Sequence, residues 1–158
     1  LEHVFMCAER CRDIGIAVQF PFIVGFPEET DKSIVETVKV AHQLNSMHPN
    51  FQTPIFYFKP YPGTKITDDV VKKGYKLPQT IQEWADFDFV GSVGPWVSDE
   101  KFDFFEKFKF YLKFGYSKQK SIYLPIQVVA KLRCKYKFFS FPIEKKIVDT
   151  FFKKQQLA

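Results

Sequence analysis

Two turns carry most of the chemistry this sequence offers. The first is Gly25-Phe26-Pro27-Glu28-Glu29-Thr30 and the second is Lys59-Pro60-Tyr61-Pro62-Gly63-Thr64. Gly25 has no Cβ, so a ligand or a neighbouring backbone can come close to its peptide groups. Thr30 or Asp31 can cap a following helix whose first N–H groups aim at the same place, a mild anion site. Lys59 contributes a cation, and Tyr57 and Tyr61 contribute phenols. Glu28 and Glu29 are adjacent and point different ways, which argues against a general acid–base pair. Glu28 is expected to cap or brace the turn.

The remaining reactive side chains assemble less well. Cys7 and Cys11 are four residues apart and share a helix face. Two thiols make a poor metal site, and we read them as core and groove thiols. His3, His42 and His48 are read as surface or satisfied polar side chains. There is no Ser-His-Asp signature and no phosphate-cradling glycine loop. Trp84 and Trp96 are assigned to core or lid packing, with a substrate entrance as the alternative. Phe102, Phe105, Phe108, Tyr111 and Leu112 recur at helical spacing and read as core.

The elements that must position the two turns follow from periodicity. Residues 2–13 read as a helix stopped by Gly15, with Arg10 and Arg12 suiting its C-terminus. Ile16 to Val24 is an almost unbroken apolar run, the pattern of a parallel strand covered on both faces. A helix from Thr30 or Asp31 to about Leu44 presents Ile34, Val38, Ala41 and Leu44 on one side, with Ser33 and Glu36 offering a second capping-box start. Phe51 to Phe58 is a second strand, ended by the Pro60–Thr64 turn. A helix is expected over 65–74, irregular chain over 75–98, and a Phe-rich helix over 99–117 capped by Ser98. One or two helices broken near Phe141-Pro142 complete the chain. Helix and strand alternating in this way is a βα repeat, and two parallel strands cannot close a barrel. The fold class is therefore α/β: the last two βα units of a partial parallel (β/α) TIM-like barrel over residues 1–75, then a mostly helical C-terminal extension over 76–158.

Composition bounds the rest. The 158 residues include 20 Phe, from an AT-rich coding sequence or an unusually large buried surface. The net charge is +5, and from Lys131 onward eight Lys and Arg face only Glu144 and Asp149. That basic tail could meet phosphate groups, and Tyr136, Phe138 and Phe139 could stack bases or fill a core. No run approaches the ~18 apolar residues of a membrane span. Leu1 opens the chain and no leader follows, so the natural start is expected upstream, in a larger protein. Three cysteines without a leader fit reduced thiols and a cytoplasmic location.

Taken together, Phe22-Ile23-Val24-Gly25-Phe26-Pro27-Glu28-Glu29-Thr30, a helix, and Phe58-Lys59-Pro60-Tyr61-Pro62-Gly63-Thr64 resemble the fifth and sixth strands of radical S-adenosylmethionine enzymes. The likeness is greatest to the subgroup with an N-terminal cobalamin-binding domain. Pro21 to Glu28 follows the family's fifth-strand pattern at Ile23, Gly25 and Glu28, whereas Pro21 replaces the first glycine. The resemblance spans about residues 1–75. It implies that Ile23 packs on the adenine of S-adenosylmethionine, that Gly25 permits close approach, and that Phe58, Lys59 and Pro60 contact the adenine through their backbone. It also implies a 4Fe-4S cluster and, in this subgroup, cobalamin. The family's three cluster cysteines are absent: Cys7 and Cys11 supply one interval, but Ile14 stands at the third place, ahead of the wrong strand. The cluster loop is expected upstream of Leu1, and residues 1–158 alone are expected to be inactive.

The function expected from the resemblance is that of a piece of a radical S-adenosylmethionine enzyme acting on a small-molecule substrate, with methyl transfer where cobalamin is used. Two rival readings remain open: a tRNA-modifying enzyme of the same type with the basic tail on RNA, and a non-catalytic binding or scaffold domain.

Overall fold

A computed structural model describes residues 1–87, 93–117 and 123–156, with side chains described no further than Asp149. Gly91, in the irregular stretch, and the side chains of Lys153 and Lys154 lie outside those residues. The fold is α/β and mostly helical, with two small parallel sheets and no closed barrel among the described residues.

Helix α1 (Glu2–Asp13) ends at Gly15, whose φ of +76° continues the chain in the left-handed region open to glycine. The apolar run that follows is divided into β1 (Val18–Gln19) and β2 (Phe22–Val24). Helix α2 (Asp31–Met47) is capped by Thr30, whose hydroxyl accepts from the amide of Ser33 at 3.2 Å. It runs one turn beyond Leu44 and buries Ile34, Val38, Ala41, Leu44 and Asn45. Strands β3 (Phe51–Gln52) and β4 (Ile55–Tyr57) repeat the division seen in the first run.

β1 pairs with β3 and β2 with β4, both parallel and in one register: Val18 faces Phe51, and Val24 faces Tyr57. Pro54 explains why each expected strand is split. Phe20 and Phe22 donate to the carbonyls of Gln52 and Pro54 at 2.8 and 2.9 Å, so the ladder runs on either side of the gap. The next rung would need an N–H from Pro54 to the carbonyl of Phe20, and proline has none. Pro21 points to the opposite edge of its strand, where a missing donor does not touch this pair.

Past the second turn lie α3 (Lys65–Lys72), α4 (Ile81–Asp86), α5 (Asp99–Tyr116), α6 (Leu124–Tyr136) and α7 (Ile143–Gln156). α4 falls in the stretch read as irregular, and a capping box formed by Thr80 and Glu83 starts it. Ser98 caps α5 as expected. One buried cluster joins both halves of the chain. Val24, Ile34, Val38 and Tyr57 pack with Phe105, Phe108, Tyr111, Ala130, Cys134 and Phe139. The predicted aromatic stripe of α5 is therefore core. Phe139 lies there too, stacked on Tyr111, whereas Tyr136 and Phe138 are exposed.

Candidate functional site

The parallel register brings both turns to one rim. Val24 and Tyr57 are partners, and the amide of Phe58 donates to the carbonyl of Val24 at 2.8 Å. The chain after Val24 and the chain after Tyr57 therefore leave the sheet side by side, at the strands' C-terminal ends. In α/β folds that end is where ligands bind.

Alternation along the strands gives the rim two faces. Val24, Ile55 and Tyr57 turn into the core, while the partners Ile23 and Phe56 turn outward and are 52% and 37% exposed. Gln19 and Gln52 share that open face and hydrogen-bond to each other at 3.0 Å. A parallel sheet ordinarily has both faces covered, so this one offers apolar surface for a ligand or further chain.

Gly25 is buried with φ +74°. A Cβ there would lie 3.1 Å from Val97 Cγ2 and 3.4 Å from Tyr57 Cδ1, so the protein's own side chains already use the room. Its amide donates to Glu29 Oε2 at 2.7 Å, and its carbonyl accepts from the indole of Trp96 at 2.8 Å. The brace of the first turn is thus Glu29 rather than Glu28. Glu28 sits at φ +65°, which swings its side chain outward to an ion pair with Lys73. That pair holds the exposed Glu28 carboxyl below the usual carboxylate range, chiefly through the hydrogen bond from Lys73. Lys101 Nζ reaches the carbonyl of Glu29 at 2.9 Å, tying the start of α5 to the same turn.

The second turn is framed by aromatic rings. Phe58 lies 4.7 Å from Phe26 and 6.1 Å from Trp96, and Tyr75 meets Trp96 from another side at 5.4 Å. Lys59 Nζ is 5.1 Å from the centre of Phe87, which also contacts Tyr61 and Trp84. Pro60 is fully buried, and Thr64 caps α3 through the amide of Thr67. Of the five residues singled out by sequence, Ile23 offers an exposed side chain, Phe58 and Lys59 are half-buried, and Gly25 and Pro60 are buried. Glu29 was not singled out as a rim residue. For Trp96, core or lid packing with a substrate entrance as the alternative is narrowed to the rim by its contact with a carbonyl distant in sequence.

Tyr57 anchors the rim from below. Its hydroxyl donates to Glu106 at 2.9 Å, and Lys109 pairs with Glu106 at 2.7 Å while lying over the Tyr57 ring. Burial, followed by the neighbouring carboxylate, pushes the phenol far above its ordinary pKa, so it stays protonated and donating.

Clefts open on the surface among the described residues. One of about 370 Å³ lies between the first turn and α3, lined by Phe26, Pro27, Ile66 and Val70. A larger one of about 730 Å³ lies at the strands' N-terminal ends, against Lys109 and Tyr116 of α5. The larger cleft is at the end of the pair opposite the rim.

Among the described residues no three His, Cys, Asp or Glu side chains come together as a metal site. Of the two thiols read above as core and groove, Cys7 is exposed and Cys11 is half-buried; Cys134 is buried. No described helix is long and apolar enough to cross a membrane.

No family model matches the chain, and no solved structure matches it. Over 92 residues the chain is 25% identical to an uncharacterized methyltransferase of Pyrococcus horikoshii. That stretch is 58% of this chain but only 19% of the relative, so the chain spans about a fifth of the relative's length. Over somewhat more than half of its length, then, the chain is similar to part of a much longer protein named a methyltransferase.

Proposed function

We propose that this chain supplies the closing rim of an S-adenosylmethionine-dependent enzyme of the radical type, with methyl transfer as the reaction of the whole protein. The observation that carries the reading is the parallel pairing of Val24 with Tyr57, which sets the Gly25 and Lys59–Thr64 turns at one edge. The similarity to a protein named a methyltransferase supports it from an independent direction.

Ile23 presents an exposed aliphatic side chain beside Phe56, a surface suited to the flat apolar face of an adenine. Phe58, Lys59 and Pro60 follow directly, and their backbone is the part of the second turn placed to meet the adenine edge. Gly25, Glu29 and Trp96 hold the first turn rigid, so that the nucleoside would meet a preformed surface. S-adenosylmethionine, when bound, supplies the methyl or adenosyl group.

The thiols of this chain do not fit a 4Fe-4S cluster. Cys7 and Cys11 lie on α1, away from the rim, and Cys134 is buried among α5 and α6. Nor is there a described group that would hold cobalamin at the rim. The chemical step is therefore assigned to other parts of a longer protein, and this chain to binding and orientation.

Calorimetric titration of the full-length protein with S-adenosylmethionine tests the reading. Ile23→Asp places a charge on the proposed adenine surface without disturbing the core, and affinity should fall at least tenfold. Absence of binding by the unmodified protein, or full affinity in the variant, would refute the assignment. A stoichiometric four-iron cluster reconstituted on residues 1–158 alone would refute the division of labour.

A further inference from the structure

Helix α6 is built in an unusual sense. Its buried side carries Gln127, Ala130 and Cys134, which are small or polar, and packs closely on α5. Ile126 also packs against the core, but four other large apolar residues turn outward. Leu124, Val128, Leu132 and Tyr136, each four residues after the last, are 55%, 56%, 47% and 68% exposed. A solvated helix ordinarily shows the reverse arrangement, and a helix that is apolar all round is ordinarily covered. The stripe is about 18 Å long at the usual helical rise.

Charge identifies what covers it. α6 contains no acidic residue, and Lys131 and Lys135 sit on the exposed side of the helix, beside the stripe. From Lys107 to the end the sequence holds thirteen Lys and Arg against Glu144 and Asp149 alone. Both acids are already paired, with Arg133 at 3.0 Å and with Lys145 at 2.7 Å. Lys131 and Lys135 lie over the rings of Tyr116 and Tyr136, contacts that leave their charge uncompensated. Phe138 continues the apolar surface just past the helix and is 57% exposed.

We propose that the outer face of α6 docks on an anionic lipid surface. An apolar stripe flanked by lysines, with aromatic residues at one end, is the pattern of a helix lying in the interface plane of a bilayer. The apolar side chains enter the boundary of headgroups and acyl chains while the lysine stems lie along it and keep their ammonium groups at the phosphates. Docking would hold this part of the protein at a surface, and it is independent of what the strand rim binds.

Co-sedimentation of the full-length protein with vesicles provides the test. It should pellet with phosphatidylcholine vesicles containing phosphatidylglycerol, not with phosphatidylcholine alone, and rising salt should release it. Val128→Asp with Leu132→Asp, both at exposed positions, should abolish pelleting while circular dichroism stays unchanged. Lys131→Gln with Lys135→Gln should weaken it by roughly tenfold or more. Failure of the unmodified protein to pellet with anionic vesicles overturns the proposal. So does a dimer in sedimentation velocity that the two aspartates dissociate, which would make the stripe a contact between copies. Salt-sensitive RNA binding that the glutamines abolish and the aspartates leave intact, without vesicle binding, would assign the face to nucleic acid instead.

Discussion

Trp96 donates its indole N–H to the carbonyl of Gly25 across 71 residues of sequence, at 2.8 Å. The bond closes the first turn from outside and places an aromatic ring between Phe58 and Tyr75. Trp96→Phe keeps a ring in the stack but removes the donor, leaving the carbonyl of a buried glycine unmatched. We expect a loss of about 1–3 kcal/mol, measured as a lower urea midpoint with an unchanged slope.

Gly25 should tolerate no side chain. At φ +74° a Cβ is strained by roughly 1–2 kcal/mol even in open space, and here it would also press on Val97. Gly25→Ala should therefore lower the melting temperature by several degrees for a domain of this size. Adding Val97→Ala should recover the steric part of the loss and leave the backbone part. Full recovery in the double variant would show that φ does not matter.

The two adjacent glutamates should behave oppositely. Glu29→Gln weakens the acceptor of the Gly25 amide, and Glu29→Ala removes it, so stability should fall in that order. Glu28→Gln breaks only an exposed ion pair with Lys73, and thermal melts should show no change. Equal effects from Glu28→Gln and Glu29→Ala would contradict the geometry.

Acid should loosen the packing of α2 against α5 and α6. His42 Nε2 and the Tyr116 hydroxyl are 2.8 Å apart. Burial, then the charges of Lys137 and Lys135, hold the His42 pKa below its ordinary 6.5. The unfolded chain then takes up a proton more readily than the folded one. Stability from this site is present above pH 6.5 and is lost as the pH falls from there through the lowered folded value. Denaturant midpoints at pH 7.5 and 5.5 should differ in the wild type, and the difference should shrink in His42→Gln.

The cysteines should divide by exposure. Burial pushes the Cys134 thiol up to about 12, so almost none is thiolate near neutrality. Iodoacetamide should modify the exposed Cys7 in the native protein and reach Cys134 only in denaturant, as peptide mapping would show. Modification of native Cys134 at a comparable rate would mean that α6 detaches from α5 readily.

Local signals made much of this architecture legible. Thr30 and Ser98 precede apolar-periodic runs and do cap their helices, because a cap depends on residues only three positions away. The apolar residues leading to Val24 and Phe58 pointed to parallel pairing, which the register bears out, but the expected cover on both faces is missing over Ile23 and Phe56 among the described residues. The Thr80–Glu83 box has the same local character, but it starts a helix of only six residues, too short to show a period. What local patterns did not reveal depends on partners far along the chain. Pro54 breaks the ladder only because register sets it against the carbonyl of Phe20. Glu29 rather than Glu28 braces the turn because Glu28 adopts a left-handed backbone, which no neighbour in sequence dictates. Trp96 reaches Gly25 only once α5 has folded onto the sheet.

The missing rung at Pro54 has a mechanical consequence. A continuous ladder transmits twist from end to end, whereas one lost bond creates a seam. Below it, Phe51 is clamped with Ala8 and Leu44 between α1 and α2; above it, Val24 and Tyr57 are packed into the larger cluster with α2 and α5. The two short ladders are therefore gripped from different sides, so a substitution that loosens one cluster need not disturb the pairing held by the other.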